Sequence, residues 1–254
     1  MTGARIAITA VLAAVIAVNS YRLFEMSQVY LSEEKSHDSV LAYKPPTRPT
    51  PSMPASVAIA YAPEASVINQ SVVDLQGINS DIVGWIAIEG TNIDYPFAQS
   101  GDNAFYLGND VYKTPAKAGS VFMDFRCAPD FTGSNSILYG HSMKNGKMFA
   151  DILKFKDEDF FDQHLSGTVF LSNATYDLEI FAFLVTKPMD WPVFFESEGN
   201  YGFLSYVKSH AALWRDIEIG SEDRLVTLST CSYDFKDARG AIVGRLVTPE
   251  ERAS

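Results

Sequence analysis

Cys231 ends the run LVTLSTC at residues 225–231, an apolar, β-prone stretch, and is one of two cysteines among 254 residues. Eight positions on stands Arg239, within KDARGAIVGRL, and ninety positions earlier His141 ends a second apolar run, SILYGH. A thiol at one strand end and an imidazole at another are the groups that nucleophilic acyl chemistry needs. The thiolate attacks and the imidazole carries the proton. A guanidinium close by stabilises the thiolate, or donates to the oxyanion of a tetrahedral intermediate. Residue types alone leave three readings of Cys231 open: a small hydrophobe closing a buried strand, half of a Cys127–Cys231 disulfide, or an attacking thiol. His37 lies in a polar-amphipathic stretch, and His164 and His210 lie within or next to expected helices. No apolar strand delivers any of these three to an end, so they read as solvated or structural.

The elements that must position Cys231 and His141 are short strands. AGSVFMDF, NSILYG, GTVFLSN, TYDLEIFAFLVTK, DRLVTLST and GAIVGRLV are β-prone runs separated by Gly, Asn, Asp or Pro, and IVGWIAIEGTNIDYPFAQ reads as a hairpin turning at Glu89-Gly90. Helical patterns are expected before the hairpin, with Val67, Val72, Val73, Leu75 and Ile78 on one face, and over residues 145–164 and 197–216. Seven or eight short strands with helical insertions predict a mainly β domain closed into a barrel, not alternating βαβ units. Alternation in the cysteine strand turns Val226 and Leu228 to one face and Ser229 and Cys231 to the other.

The N-terminus carries a different signal. After the basic Arg5, no residue from Ile6 to Tyr21 is charged, and Arg22 and Phe24 follow as interfacial anchors. A retained membrane anchor (residues 1–24) is expected, with a cleaved signal peptide as the alternative; both send the rest of the chain across a membrane. Residues 25–64 read as a juxtamembrane helix followed by a linker, because residues 44–63 hold six of the twelve prolines. Residues 65–254 are then expected to form the folded domain. A net charge of −11 argues against a nucleic-acid partner, and without a CxxC or His/Cys cluster no metal or other cofactor is expected.

TLSTC followed by arginine at plus eight, with YGH ending an earlier strand, resembles the sortases, membrane-anchored cysteine transpeptidases of Gram-positive bacteria. DIVGWIAIEGTNIDYPFAQSGDNAFYL, GSVFMDFR, ILYGHSMKNGKMFADILKF and LSTCSYDFKDARGAIVGRL resemble class B, in the family's order and over residues 68–248. The resemblance implies a closed sortase-type β-barrel of about eight strands with N-terminal helices and a helix inserted before the cysteine strand. It also implies a catalytic Cys231, His141 and Arg239. Cys231 would cleave an LPXTG-like C-terminal sorting signal between Thr and Gly through a thioacyl intermediate. His141 would shuttle the proton, and Arg239 would bind the oxyanion and hold the sorting peptide. Asn103, Leu107 and Ser229 match positions that line the class B peptide groove, core packing being the alternative for Leu107. Cys127 stands where class B members more often carry a polar residue, and reads as a bystander, with a redox-sensitive neighbour as the alternative.

Partners implied by the resemblance are surface proteins bearing sorting signals, and an amine of a peptidoglycan precursor as acceptor. The implied location is the cell membrane, with a single pass and the catalytic domain extracellular. A pilin polymerase with a lysine acceptor is the close alternative. A non-catalytic peptide-binding module and a hydrolytic cysteine peptidase are the more distant ones.

Overall fold

The computed structural model describes residues 2–46, 68–187, 200–248 and 251, so most of the proline-rich linker, Val67 and residues 197–199 lie outside the described residues. The chain divides into two units, residues 1–42 and 43–254. In the first, α1 runs unbroken through Thr2–Leu41, crossing the expected boundary at residue 24. No proline or glycine interrupts residues 4–41, so nothing local stops the helix there. Its stretch Ile8–Gln28 is long and apolar enough to cross a membrane, a test that a signal sequence also passes. Ile8, Leu12, Val15 and Ile16 are exposed along it.

The second unit opens with α2 (Gln70–Ile78), which buries Val72 and Leu75. Val73 and Ile78, expected on the same face, stay exposed; Val73 lies about 100° around the helix from Val72, and Ile78 is the last helical residue. Nine strands follow: β1 (Ile82–Ile88), β2 (Asp94–Ala98), β3 (Val121–Met123), β4 (Asn135–Tyr139), β5 (Ser166–Leu171), β6 (Thr175–Thr186), β7 (Ala211–Trp214), β8 (Leu225–Cys231) and β9 (Arg239–Val247). Their order is β5-β1-β2-β3-β4-β8-β9-β6-β7, and β5 also pairs with β6. Eight strands therefore close on themselves, and β7 lies outside the ring.

Two helical expectations change. Residues 145–164 form a 3₁₀ segment (Ala150–Lys156) and a separate α3 (Glu158–Gln163). Asp157 is extended at the junction and its carboxylate caps Phe160 N at 2.9 Å, starting a new helix in place of continuing the old one. The inserted helix α4 (Asn200–His210) stops early, and AALW becomes β7. The long β6 explains this: its first half pairs with β5, which leaves the edge of its second half to be filled at Ala182↔Trp214 and Phe183↔Leu213.

Strand alternation sorts two cores. Val226, Leu228, Ile242 and Leu246 point into the barrel with Phe97, Phe149, Phe155 and Phe183. Ile137, Leu225, Ala241 and Val243 point outward and are covered by Phe203 and Val207 of α4. The outward face is the one on which Cys231 ends.

Candidate active site

The site is set by register. β4 and β8 are parallel, with Ile137↔Thr227 and Tyr139↔Ser229. The ladder continues as Gly140 N–H donates to Ser229 O at 3.2 Å, so His141 comes level with Cys231 on the same face. β8 and β9 are antiparallel, with Cys231↔Arg239 directly paired. Histidine, cysteine and arginine thus end three neighbouring strands side by side, on the outward face. Cys231 is exposed, which removes the buried-hydrophobe reading. Both cysteines are free, which removes the disulfide. Cys127, half-buried, holds its thiol 3.8 Å from Asn135 O.

Each strand end is fixed by its own contacts. Thr230 Oγ1 donates to Gly140 O at 2.7 Å from inside the barrel, tying the last residue before Cys231 to the last before His141. Gly140 must be glycine, since a Cβ there would meet the Phe149 ring at 2.8 Å. Phe149 N–H then closes back on His141 O at 2.9 Å. The turn between them is held from β2, where the Tyr95 hydroxyl accepts Met148 N–H at 2.8 Å. Burial pushes that phenol up to about 12, so it stays a neutral hydroxyl.

The His141 ring meets the backbone of the long β2–β3 connection: Nε2 lies 2.9 Å from Leu107 O. A carbonyl only accepts, so Nε2 carries a hydrogen in this contact. In the neutral ring Nδ1 is then the nitrogen without a hydrogen, the one able to accept a proton. Arg239 turns its guanidinium onto its own loop, donating to Asp237 O at 3.3 Å and Ala238 O at 3.1 Å. Asp237 adopts φ 63°, a left-handed conformation that aspartate tolerates. The loop joining Cys231 to Arg239 is clamped at Asp234, which pairs with Lys156 and accepts from Ser232 Oγ. Lys156 foremost, with Ser232, holds the Asp234 carboxyl below its usual range.

The expected groove residues fall in three different settings. Leu107 is exposed, so it is free of the core and can touch a ligand. Asn103 is committed within the chain: Nδ2 donates to Asp124 Oδ2 at 2.9 Å and Oδ1 accepts Phe125 N–H at 3.0 Å. Ser229 shares the face of Cys231 but is only 1% exposed, and its Oγ has no hydrogen-bond partner among the described residues. Among the described residues no three His, Cys, Asp or Glu side chains gather to hold a metal ion.

Asp124 was not anticipated. Its buried carboxylate accepts from Arg126 Nε at 2.8 Å and Arg126 NH2 at 2.6 Å, from Asn103 Nδ2, and from the Tyr139 hydroxyl at 3.1 Å. It therefore joins the β2–β3 connection to the end of the histidine strand. Burial alone would raise its pKa, but Arg126 and Asn103 outweigh that and hold it below the ordinary carboxylate value. A charged residue inside GSVFMDFR, with arginine two positions on, was the available signal. No signal marks a backbone carbonyl such as that of Leu107.

An eight-strand barrel carrying an exposed cysteine beside a histidine and an arginine defines a cysteine transpeptidase of the sortase type. Residues 86–248 match the sortase domain family model. The chain is 39% identical over 180 residues to sortase B of Listeria monocytogenes, covering 69% of this chain and 73% of that protein. Among solved structures, sortase B of Bacillus anthracis in complex with AAEK1 superposes with a TM-score of 0.72 at 31% identity, covering 87% of this chain and 99% of that one. A Staphylococcus aureus sortase B–substrate complex gives 0.67 at 29% identity, covering 72% and 87%. The chain belongs to the sortase family, as a transpeptidase of class B.

Two predictions follow from how the strand ends are held. Thr230→Val keeps the shape but deletes the tie to Gly140; it is expected to cost about 1 kcal/mol in denaturant unfolding and to lower kcat more than it raises KM. Asp124→Asn is expected to cost about 1–2 kcal/mol at pH 7, discounted because Arg126 is partly in water. The native Asp124 pKa is depressed below the unfolded value of about 4. Its contribution is therefore complete above that value and lost as pH falls through the folded pKa. The gap between wild type and Asp124→Asn in urea melts should narrow from pH 7 to pH 3; a constant gap contradicts the assignment.

Proposed function

We propose that Cys231, His141 and Arg239 carry the transpeptidation, and that the donor is a protein with an LPXTG-like C-terminal sorting signal. The observation that carries this reading is the register, which aligns the three residues on adjacent strands and one face. The Cys231 thiolate attacks the threonine carbonyl carbon. The C–S bond forms as the carbonyl π pair moves onto oxygen, and Arg239 swings off Asp237 O and Ala238 O to bind that oxyanion. The tetrahedral intermediate collapses, the Thr–Gly bond breaks, and His141 gives its Nδ1 proton to the leaving amine. The incoming amine then attacks the thioester, His141 takes its proton back, and the thiolate is released.

The neighbouring structure of a sortase B with its substrate supports a peptide donor for this chain. Exposed Phe105 and Leu107 on the β2–β3 connection, with Tyr233 and Phe235 on the β8–β9 loop, offer apolar walls for that peptide. A cell-wall amine is the proposed acceptor. The apolar stretch of α1 supports anchorage in the cell membrane, with the catalytic domain on the extracellular side.

The test is product analysis of a labelled sorting peptide, with and without an added glycine-peptide amine. Wild type should convert hydrolysis product into transfer product as amine rises. Cys231→Ala and His141→Ala should lose turnover, and Arg239→Ala should fall about 10²–10³-fold, as for a lost oxyanion donor. Full activity of Arg239→Ala, or hydrolysis indifferent to amine, contradicts the assignment.

A further inference from the structure

The β2–β3 connection reaches the site directly, because one of its peptide carbonyls holds the His141 ring. That carbonyl belongs to Leu107, the last residue of a single 3₁₀ turn, Phe105–Leu107. A short turn with an exposed Leu107 side chain has little stiffness of its own. What fixes the peptide is its other neighbour. Gly119 lies against the same turn, and a Cβ at Gly119 would come 2.4 Å from Tyr106 O, 2.8 Å from Leu107 O and 2.9 Å from Leu107 C. Those are backbone atoms, which cannot swing aside as a flexible side chain does. Gly119 also sits at φ 57°, where an L side chain is strained.

The surroundings are built to the same end. Ser120 N–H donates to Tyr106 O at 2.9 Å, tying the backbone that enters β3 to the turn, and Gly119 N–H donates to Ala116 O at 3.1 Å within its own loop. From below, the Tyr106 hydroxyl donates to Asp81 Oδ2 at 2.8 Å and accepts from Asn79 Nδ2 at 2.8 Å. Tyr106 is fully buried, and burial raises its phenol well above the usual value, so the hydroxyl stays neutral. Gly119 thus packs on the Leu107 peptide, and the buried Tyr106 side chain anchors the residue before it.

We propose that Gly119 is a positioning residue for catalysis: its missing side chain lets the backbone pack directly on the Leu107 peptide and aims that carbonyl at His141 Nε2. In this role the carbonyl does for the imidazole what a third polar side chain does in other nucleophile–histidine sites. It keeps the hydrogen on Nε2 and leaves Nδ1 to serve the reacting atoms. This inference rests on His141 being the proton carrier, and the test separates the two.

Gly119→Ala is measured in the full chain by peptide-transfer kinetics and by long-range ¹H–¹⁵N NMR of the neutral His141 ring. The expected result is a kcat lowered about 10- to 100-fold, as for a reacting group misplaced by about an ångström, with KM within about twofold. The NMR should show the Nε2–H tautomer giving way to a mixture. Tyr106→Phe, which deletes only the hydroxyl beneath the turn, should move both readouts in the same direction by less, and supplies the answer if Gly119→Ala does not fold. Wild-type tautomer and wild-type kcat in the folded variants overturn the proposal. If His141→Ala is inactive while these variants are unchanged, the positioning role alone is wrong; if His141→Ala stays active, the underlying catalytic reading is wrong.

Discussion

Everything at the site depends on the backbone register of three strands. The parallel pairing of β4 with β8 and the antiparallel pairing of β8 with β9 are enforced from both faces at once. Val226, Leu228 and Ile242 are fully buried inside the barrel, and Leu225, Ala241 and Val243 are fully buried outside it. A slip of one residue would exchange these two sets and turn Cys231 into the barrel. The hydrophobic pattern that closes the fold is therefore also what holds the thiol, the imidazole and the guanidinium on one side.

Around that frame, polar contacts do the finer placing. Thr230 links the cysteine strand to the histidine strand, and Asp124 links the histidine strand to the β2–β3 connection. The clamp of Asp234 by Lys156 steadies the loop between Cys231 and Arg239. Arg239 itself rests on carbonyls of that loop, which are weaker partners than a carboxylate. In the proposed mechanism it can therefore move to a developing oxyanion without breaking an ion pair. Ser229, two residues before Cys231 on the same face, stays buried with its Oγ unpartnered among the described residues.

Much of this was legible in the sequence because it follows from short-range rules. Alternation in LVTLSTC separates Val226 and Leu228 from Ser229 and Cys231, and the turn at Glu89-Gly90 follows from glycine's access to positive φ. The failures have physical causes. AALW looked helical by continuity with the residues before it, yet it became β7 because β6 had an open edge that only tertiary structure reveals. Residues 145–164 looked like one helix because an extended Asp157 is not visible in a composition. Nor could the sequence show that the Asn103 amide bonds Asp124 and Phe125, residues more than twenty positions away. The hold on His141 comes from a backbone carbonyl, which every residue has and no sequence marks.

The central claim is covalent: Cys231 takes the acyl group. Its most direct test is the intact mass of the enzyme mixed with a sorting peptide when no amine is present, followed by peptide mapping. The account predicts a single acyl adduct, ending at threonine, on Cys231 and released by hydroxylamine as a thioester must be. An adduct mapped to Cys127, or turnover that persists in Cys231→Ala, would contradict it.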